Sequence, residues 1–447
     1  MTLSREDTIA ALATPPGEGA LAVVRISGPR ALDVADGIFR GNRLPSAMEE
    51  RTIALGRILD IKGETVDEVL ITVFRNPRSY TGENLVEISG HGGSLVPARV
   101  LATAFAAGAR MAKPGEFTER AFLNGKIDLT QAEAVMDLIS AQTPRAARAA
   151  TAQLEGRLGT EINSLREELL EGLAHLEAFI DFPMEGIDPE NGLALRKRME
   201  SISAHLSRLL ATANEGRLLR EGISIALCGA PNAGKSSLLN RLLGTERAIV
   251  SPSPGTTRDT IEETAILGGY PFRIIDAAGL RETTDPVEKE GVERALRAAE
   301  LADIRLHLVD ASTAARPTSP IFEDEILVMN KLDLINDRTL LPNAPAISCL
   351  TGEGITLLVD TIIAKVTSRA DSESSPDGAA INARHQGCLM RAGDALNAAI
   401  GLLDDGGPPE LVAVELRTAL DAIGEVAGEA RTEEILGKIF SSFCIGK

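Results

Sequence analysis

The chain has 447 residues, 44% hydrophobic and 25% charged, the composition of an ordinary soluble protein with enough core for about three domains. Its formal net charge of −18 argues against a large sequence-independent grip on a phosphate backbone, so any nucleic-acid contact is expected to be local or shared with a partner. Four widely spaced cysteines without a C-x-x-C argue against a disulfide or zinc framework and fit reduced thiols in the cytoplasm; no signal peptide and no apolar run of about 18 residues for a membrane span is found.

In chain order, residues 21–26, 69–74 and 85–88 read as strands, punctuated by Pro15-Pro16-Gly17, Gly28-Pro29, Asn76-Pro77 and Gly90-His-Gly-Gly93. Residues 96–107 read as a helix, which makes 1–120 an α+β domain. From Leu129 the period becomes helical. Leu158, Ile162, Leu165, Leu169, Leu173 and Leu176 share one helix face, and Met199, Ile202, Leu206 and Leu209 share another. Residues 368–382 are small and polar and read as a flexible linker. Helical spacing returns at Leu389, Ala392 and Leu396, and again at Ile435, Leu436, Ile439 and Phe440. A segment at 217–372 is thus bracketed by helices at 121–216 and 380–447, as insertion of one domain into another would produce.

That segment carries the chemistry. Gly229-Ala-Pro-Asn-Ala-Gly-Lys-Ser236 follows an apolar run ending at Cys228 and precedes a helix start, the context of a phosphate-binding loop. Glycines let the backbone approach phosphate, Lys235 adds a point charge, and the Ser236 hydroxyl suits Mg²⁺. Asn232, Ala233, Gly234 and Ser237 complete the loop's candidate contacts. Asp276-Ala-Ala-Gly279 gives D-x-x-G, with Asp276 for the Mg²⁺ shell and the Gly279 N–H for the γ phosphate. Between them, Gly255-Thr-Thr-Arg-Asp259 is a candidate switch in which Thr257 could complete the Mg²⁺ site. Asn330-Lys331-Leu332-Asp333 places a carboxylate able to accept guanine N1–H and the exocyclic amine, favouring GTP over ATP. Ser348, Cys349 and Leu350 fall where a last loop would contact the base. A GTP-dependent assembly switch would share these motifs, and a one-carbon transferase with a regulatory domain is a third reading.

Ala13-Thr-Pro-Pro-Gly17, Gly90-His-Gly-Gly93, Lys113-Pro-Gly-Glu-Phe117, Arg120-Ala-Phe-Leu-Asn-Gly-Lys126 and the terminal Phe443-Cys-Ile-Gly-Lys447 join this set. With them the chain resembles the MnmE (TrmE) family of tRNA modification GTPases along its whole length. The resemblance implies a multi-domain α+β and α/β fold: an N-terminal α+β folate-binding-like and dimerisation domain, a discontinuous helical domain, and an inserted P-loop (Ras-like) G domain. It implies a homodimer and a heterotetramer with the FAD-dependent protein MnmG. Together they would place an aminomethyl or carboxymethylaminomethyl group at C5 of the wobble uridine of certain tRNAs. The carbon would come from a tetrahydrofolate derivative of 5-formyl or 5,10-methylene type. K⁺ would stimulate GTP hydrolysis, held by Asn232, Ser251, Ser253 and Thr256, and supply charge that an arginine supplies elsewhere.

By the same resemblance Glu288 orients the attacking water, where composition alone reads a surface carboxylate. Arg25, Glu87, Lys126 and Lys447 match folate-contacting positions, although Arg25 also reads as an ordinary ion pair. Cys444 reads either as a small half-buried residue or as a thiol activated by Lys438 and Lys447 for the modification chemistry. His91 is expected to shape or line the folate pocket. Ala277 stands where family members commonly carry Thr.

Overall fold

The structure is a computed structural model that describes residues 7–181, 192–244, 262–276, 300–313, 324–335, 344–367, 381–429 and 433–447. Its contacts fall into two compact units, Met1–Met136 with Ala427–Lys447, and Asp137–Val426.

The first unit is built on a seven-stranded sheet. Its strands are β1 (Ile9–Leu12), β2 (Leu21–Ser27), β3 (Phe39–Gly41), β4 (Ile53–Leu59), β5 (Thr65–Phe74), β6 (Leu85–His91) and β7 (Arg110–Met111), in the order β3-β4-β5-β6-β2-β1-β7. The pairings are antiparallel apart from β1 with β7. Alternation along β2 sends Val24 and Ile26 inward, where they meet Ile71, Val73, Val86 and Ile88. Helices Ala31–Ile38 and Leu95–Ala106 cover that face with Val34, Ala35, Val100 and Ala104. β4 is not among the strands expected from the sequence; its large apolar residues Ile53 and Leu55 are exposed while Ala54 is only partly buried. Gly90-His91, read as punctuation, instead continues β6, since His91 pairs with Leu21 and its N–H donates to Asp67.

The C-terminal residues complete this unit. Helix Glu433–Ser441 packs Leu436 and Phe440, with Phe443, on Phe122, Leu129 and Ala132. The chain end then runs along helix Glu116–Leu123: the Gly115 N–H donates to the Cys444 carbonyl at 3.4 Å and the Phe117 N–H to the Lys447 carbonyl at 3.2 Å.

The second unit holds a five-stranded sheet of β8 (Ile223–Gly229), β9 (Glu262–Leu267), β10 (Tyr270–Asp276), β11 (Ile304–Asp310) and β12 (Glu325–Asn330), ordered β12-β11-β8-β10-β9. β8, β10, β11 and β12 are parallel, and buried as nearly continuous apolar runs. Helices Lys235–Leu243, Ile355–Thr367 and Ala213–Glu221 pack on this sheet through Leu238, Leu242, Leu358, Ile362 and Leu218.

The apolar stripes expected from spacing are buried in helices Arg157–Asp181, Gly192–Ala211 and Ala383–Asp404. Segments before and after the nucleotide sheet meet: Arg196 pairs with Asp404 at 2.8 Å and Arg417 with Glu177 at 2.7 Å. The α/β sheet is therefore an insertion in a discontinuous helical domain. The expected linker stops short of residue 381. Ile381 is fully buried, and Asn382 caps helix Ala383–Asp404 in a capping box with His385; residues 368–380 lie outside those described.

Candidate functional site

β8 delivers the chain to the phosphate loop, and helix Lys235–Leu243 begins directly after it. Gly234 has φ +104, a left-handed conformation that glycine adopts without cost. A Cβ there would fall on the Asn330 amide nitrogen. The first-turn N–H groups at Ser236 and Ser237, with the positive end of the helix dipole, make the loop an anion cradle. Lys235 is buried and its Nζ donates to the Gly229 and Ala230 carbonyls at 2.7 and 2.8 Å. Asn232, at the loop's exposed tip, has φ +65.

Asn330, the last residue of β12, ties the loop to the turn that holds Cys349. Its Nδ2 donates to the Ala233 carbonyl at 2.8 Å, and its Oδ1 accepts the Cys349 N–H at 3.3 Å. Ser348 donates its hydroxyl to Asp333 Oδ1 at 2.5 Å, which fixes one carboxylate oxygen. Lys331 adopts the left-handed region, and its Nζ pairs with Asp310 Oδ2 at 2.6 Å. Burial pushes the Cys349 thiol up, so it stays protonated at neutral pH. Leu350 projects into solvent. Parallel register with Leu227 brings Asp276, at the end of β10, beside β8. Gly279, Ser251, Ser253, Thr256, Thr257 and Glu288 lie outside the described residues.

In the first unit Arg25 and Glu87 are directly opposed on β2 and β6. Arg25 Nε and Nη2 donate to Glu87 Oε1 at 3.0 and 2.8 Å. The guanidinium lies over the rings of Tyr80 and Phe117, 5.4 and 5.6 Å from their centroids. Both side chains remain partly open, Arg25 at 16% and Glu87 at 27%. Lys126 runs its stem beside Gly82, and Lys447 meets Phe117 through its backbone. Cys444 is exposed, not half-buried. His91 holds Asp67 at 2.8 Å with a ring that is 73% exposed. Sequence reasoning missed Tyr80 as a partner of Arg25; the signal available was its rarity in a chain with two tyrosines. It also missed Asp310.

Two family models match this chain: "GTP-binding protein TrmE N-terminus" over residues 8–126 and "MnmE helical domain" over residues 129–444. A curated relative from Akkermansia muciniphila is 46% identical over 451 residues, covering 99% of each chain. One from Moorella thermoacetica is 46% identical over 464 residues, covering 99% of this chain and 100% of its own, and one from Levilactobacillus brevis is 42% identical over 463 residues, covering 100% of both. All three are named tRNA modification GTPase MnmE. Among solved structures, the G domain of the T. maritima FeoB iron transporter is 25% identical over 32% of this chain and 98% of its own, with a TM-score of 0.22. Matched along its full length by these relatives and by both family models, the chain belongs to the MnmE (TrmE) family of tRNA modification GTPases and is a GTP-hydrolysing enzyme of tRNA modification.

Proposed function

We propose that the chain is a K⁺-dependent GTPase that acts as a homodimer and, in a heterotetramer with the FAD-dependent protein MnmG, modifies C5 of the wobble uridine of certain tRNAs in the cytoplasm. The group added is aminomethyl or carboxymethylaminomethyl, with its carbon drawn from a 5-formyl- or 5,10-methylene-type tetrahydrofolate. The observation that carries this reading is the bridge Asn330 makes between phosphate loop and base loop, in a chain that matches the family over its length. The division of labour is a folate-binding and dimerisation domain at 1–120, a helical domain at 121–216 and 380–447, and a G domain at 217–372.

Asn232, Ala233, Gly234, Lys235, Ser236 and Ser237 would cradle the phosphates. Asn330, Lys331, Asp333, Ser348, Cys349 and Leu350 would surround guanine. Ser236 and Thr257, with Asp276 in the outer shell, would hold Mg²⁺, which when bound neutralises charge developing on the transferred phosphoryl group. Asn232, Ser251, Ser253 and Thr256 would hold K⁺; the exposed position of Asn232 supports its part. Gly279 would meet the γ phosphate and Glu288 would orient water. The partly open Arg25–Glu87 pair between two aromatic rings supports a flat, polar-edged ligand such as a pterin, with Lys126 and Lys447 for its acidic tail. Cys444, exposed beside this region, is the candidate thiol of the modification chemistry. Among the described residues no helix is long and apolar enough to cross a membrane.

Nucleoside mass spectrometry of total tRNA tests the scheme in a deletion strain complemented with wild type or Glu288→Ala. C5-aminomethyl-type wobble uridines should vanish on deletion and return with wild type. They should not return with Glu288→Ala, although that variant still binds GTP. Unchanged tRNA on deletion would refute the modification role and bring the assembly switch forward. Equal GTP turnover in KCl and NaCl would remove the potassium.

A further inference from the structure

The base-recognition turn contains a lysine in a conformation that L-residues avoid. Lys331 has φ +64 and ψ +40, and it stands between Asn330 and Asp333, two of the residues proposed above to surround guanine. What accompanies it is an acid from the neighbouring strand. Asp310 ends β11 directly beside Asn330 in parallel register, and the Ala311 N–H closes the ladder on the Asn330 carbonyl at 2.9 Å.

The Asp310 carboxylate is itself anchored. Its Oδ1 accepts the Ser312 N–H at 2.9 Å and the Ser312 hydroxyl at 2.6 Å. That leaves Oδ2 aimed at Lys331 Nζ, 2.6 Å away, with the two side chains 19% and 33% exposed. Burial works against this carboxylate, but Lys331 and the Ser312 donors outweigh it and hold it ionised below the usual carboxylate range. A long flexible ammonium is thereby fixed by a carboxylate that cannot swing away.

From this geometry we propose that Asp310 is a positioning residue for guanine recognition, holding Lys331 so that the turn presents Asp333 ready-aligned to the base. Asp333 is itself steadied by the Ser348 hydroxyl, which holds Oδ1 and leaves Oδ2 for the base. The assignment rests on the reading of this site as a GTP site. Its consequence is specificity: loosening the turn weakens the contact to the exocyclic amine of guanine more than the contacts to phosphate, which lie on the far side of Asn330.

Release of mant-GDP from the full-length protein, with competition by GDP and by inosine diphosphate, which lacks that amine, tests it. Asp310→Asn should release mant-GDP about three- to tenfold faster and lower the GDP-over-IDP preference by a similar factor, the scale of a coupled pair. Ser312→Ala, which removes the hydroxyl anchor of the carboxylate but keeps the N–H and the charge, should shift both the same way by less. A wild-type protein that does not retain mant-GDP would overturn the nucleotide-site reading and this assignment with it. Retention by wild type, with Asp310→Asn unchanged or weakening GDP and IDP equally, would overturn the assignment alone.

Discussion

Gly234 shows how one hydrogen atom in place of a methyl group decides a binding site. Its left-handed backbone and the Asn330 amide pressed against its α-carbon leave no room for a side chain. Gly234→Ala must displace Asn330, which breaks the donation to Ala233 and loosens the link to Cys349. Losing such a buried polar contact costs about 1–3 kcal/mol, so GDP affinity should fall by about tenfold or more. Equilibrium titration with mant-GDP measures this, and an unchanged dissociation constant would remove Asn330 from the site. The same scale explains why the phosphate loop was legible beforehand. Its glycines and lysine sit within eight residues, so spacing alone reports the geometry. Tyr80 and Phe117 over Arg25, and Asp310 on Lys331, are contacts between residues distant in sequence that no spacing rule reports.

At the scale of elements, an ionic network fastens the first unit's edge. Arg110 of β7 pairs with Asp7 at 2.6 Å and with the fully buried Glu116 of helix Glu116–Leu123 at 2.5 Å. Arg120 meets Asp7, Glu116 and Glu83 at 2.6, 3.0 and 3.2 Å. Burial pushes the Asp7 and Glu116 carboxyls up, but the two arginines, and for Glu116 the Lys113 N–H, outweigh it, and both titrate below the ordinary carboxylate range. Groups that titrate lower folded than unfolded stabilise at neutral pH and lose that contribution as pH falls through their folded values. Glu119 acts in the opposite sense, raised by burial and by the charge of Glu116. The melting temperature should therefore fall as pH drops from about 5 to about 3, a window that spans the unperturbed carboxylate values and the range just below them. Glu116→Gln should melt lower at pH 7, by an amount reflecting roughly 3 kcal/mol for a broken buried pair, and show a flatter acid limb. An acid limb as steep as wild type would exclude Glu116 as a source of the pH dependence.

On the scale of the whole molecule, one face of the seven-stranded sheet is unlike an ordinary surface. Ile53, Leu55, Leu70 and Leu21 stand on it at 65%, 61%, 46% and 73% exposure, and Leu55 and Leu70 are cross-strand partners. Such a patch supports the proposed homodimer. Because both leucines are exposed in the single chain, Leu55→Asp with Leu70→Asp should fold normally yet weaken self-association at least about tenfold. Sedimentation velocity reads the outcome; dimers of undiminished strength would place the interface elsewhere. The net charge of −18 bears on the same scale, since a chain this acidic is poorly suited to a broad, sequence-independent grip on tRNA.

The sequence by itself determined the features that are local or periodic. The phosphate loop between β8 and helix Lys235–Leu243, and the apolar stripes of helices Arg157–Asp181 and Gly192–Ala211, follow from backbone conformations and a repeat of 3.6, both written in neighbouring residues. The tertiary structure alone decided which distant residues became neighbours. Strand register set Arg25 against Glu87 and Asp310 beside Asn330. Packing sent Ile53 and Leu55 outward and drew the chain end onto helix Glu116–Leu123. The reason is physical: local conformation depends on a few adjacent side chains, whereas register and face depend on how the whole apolar surface is buried at once.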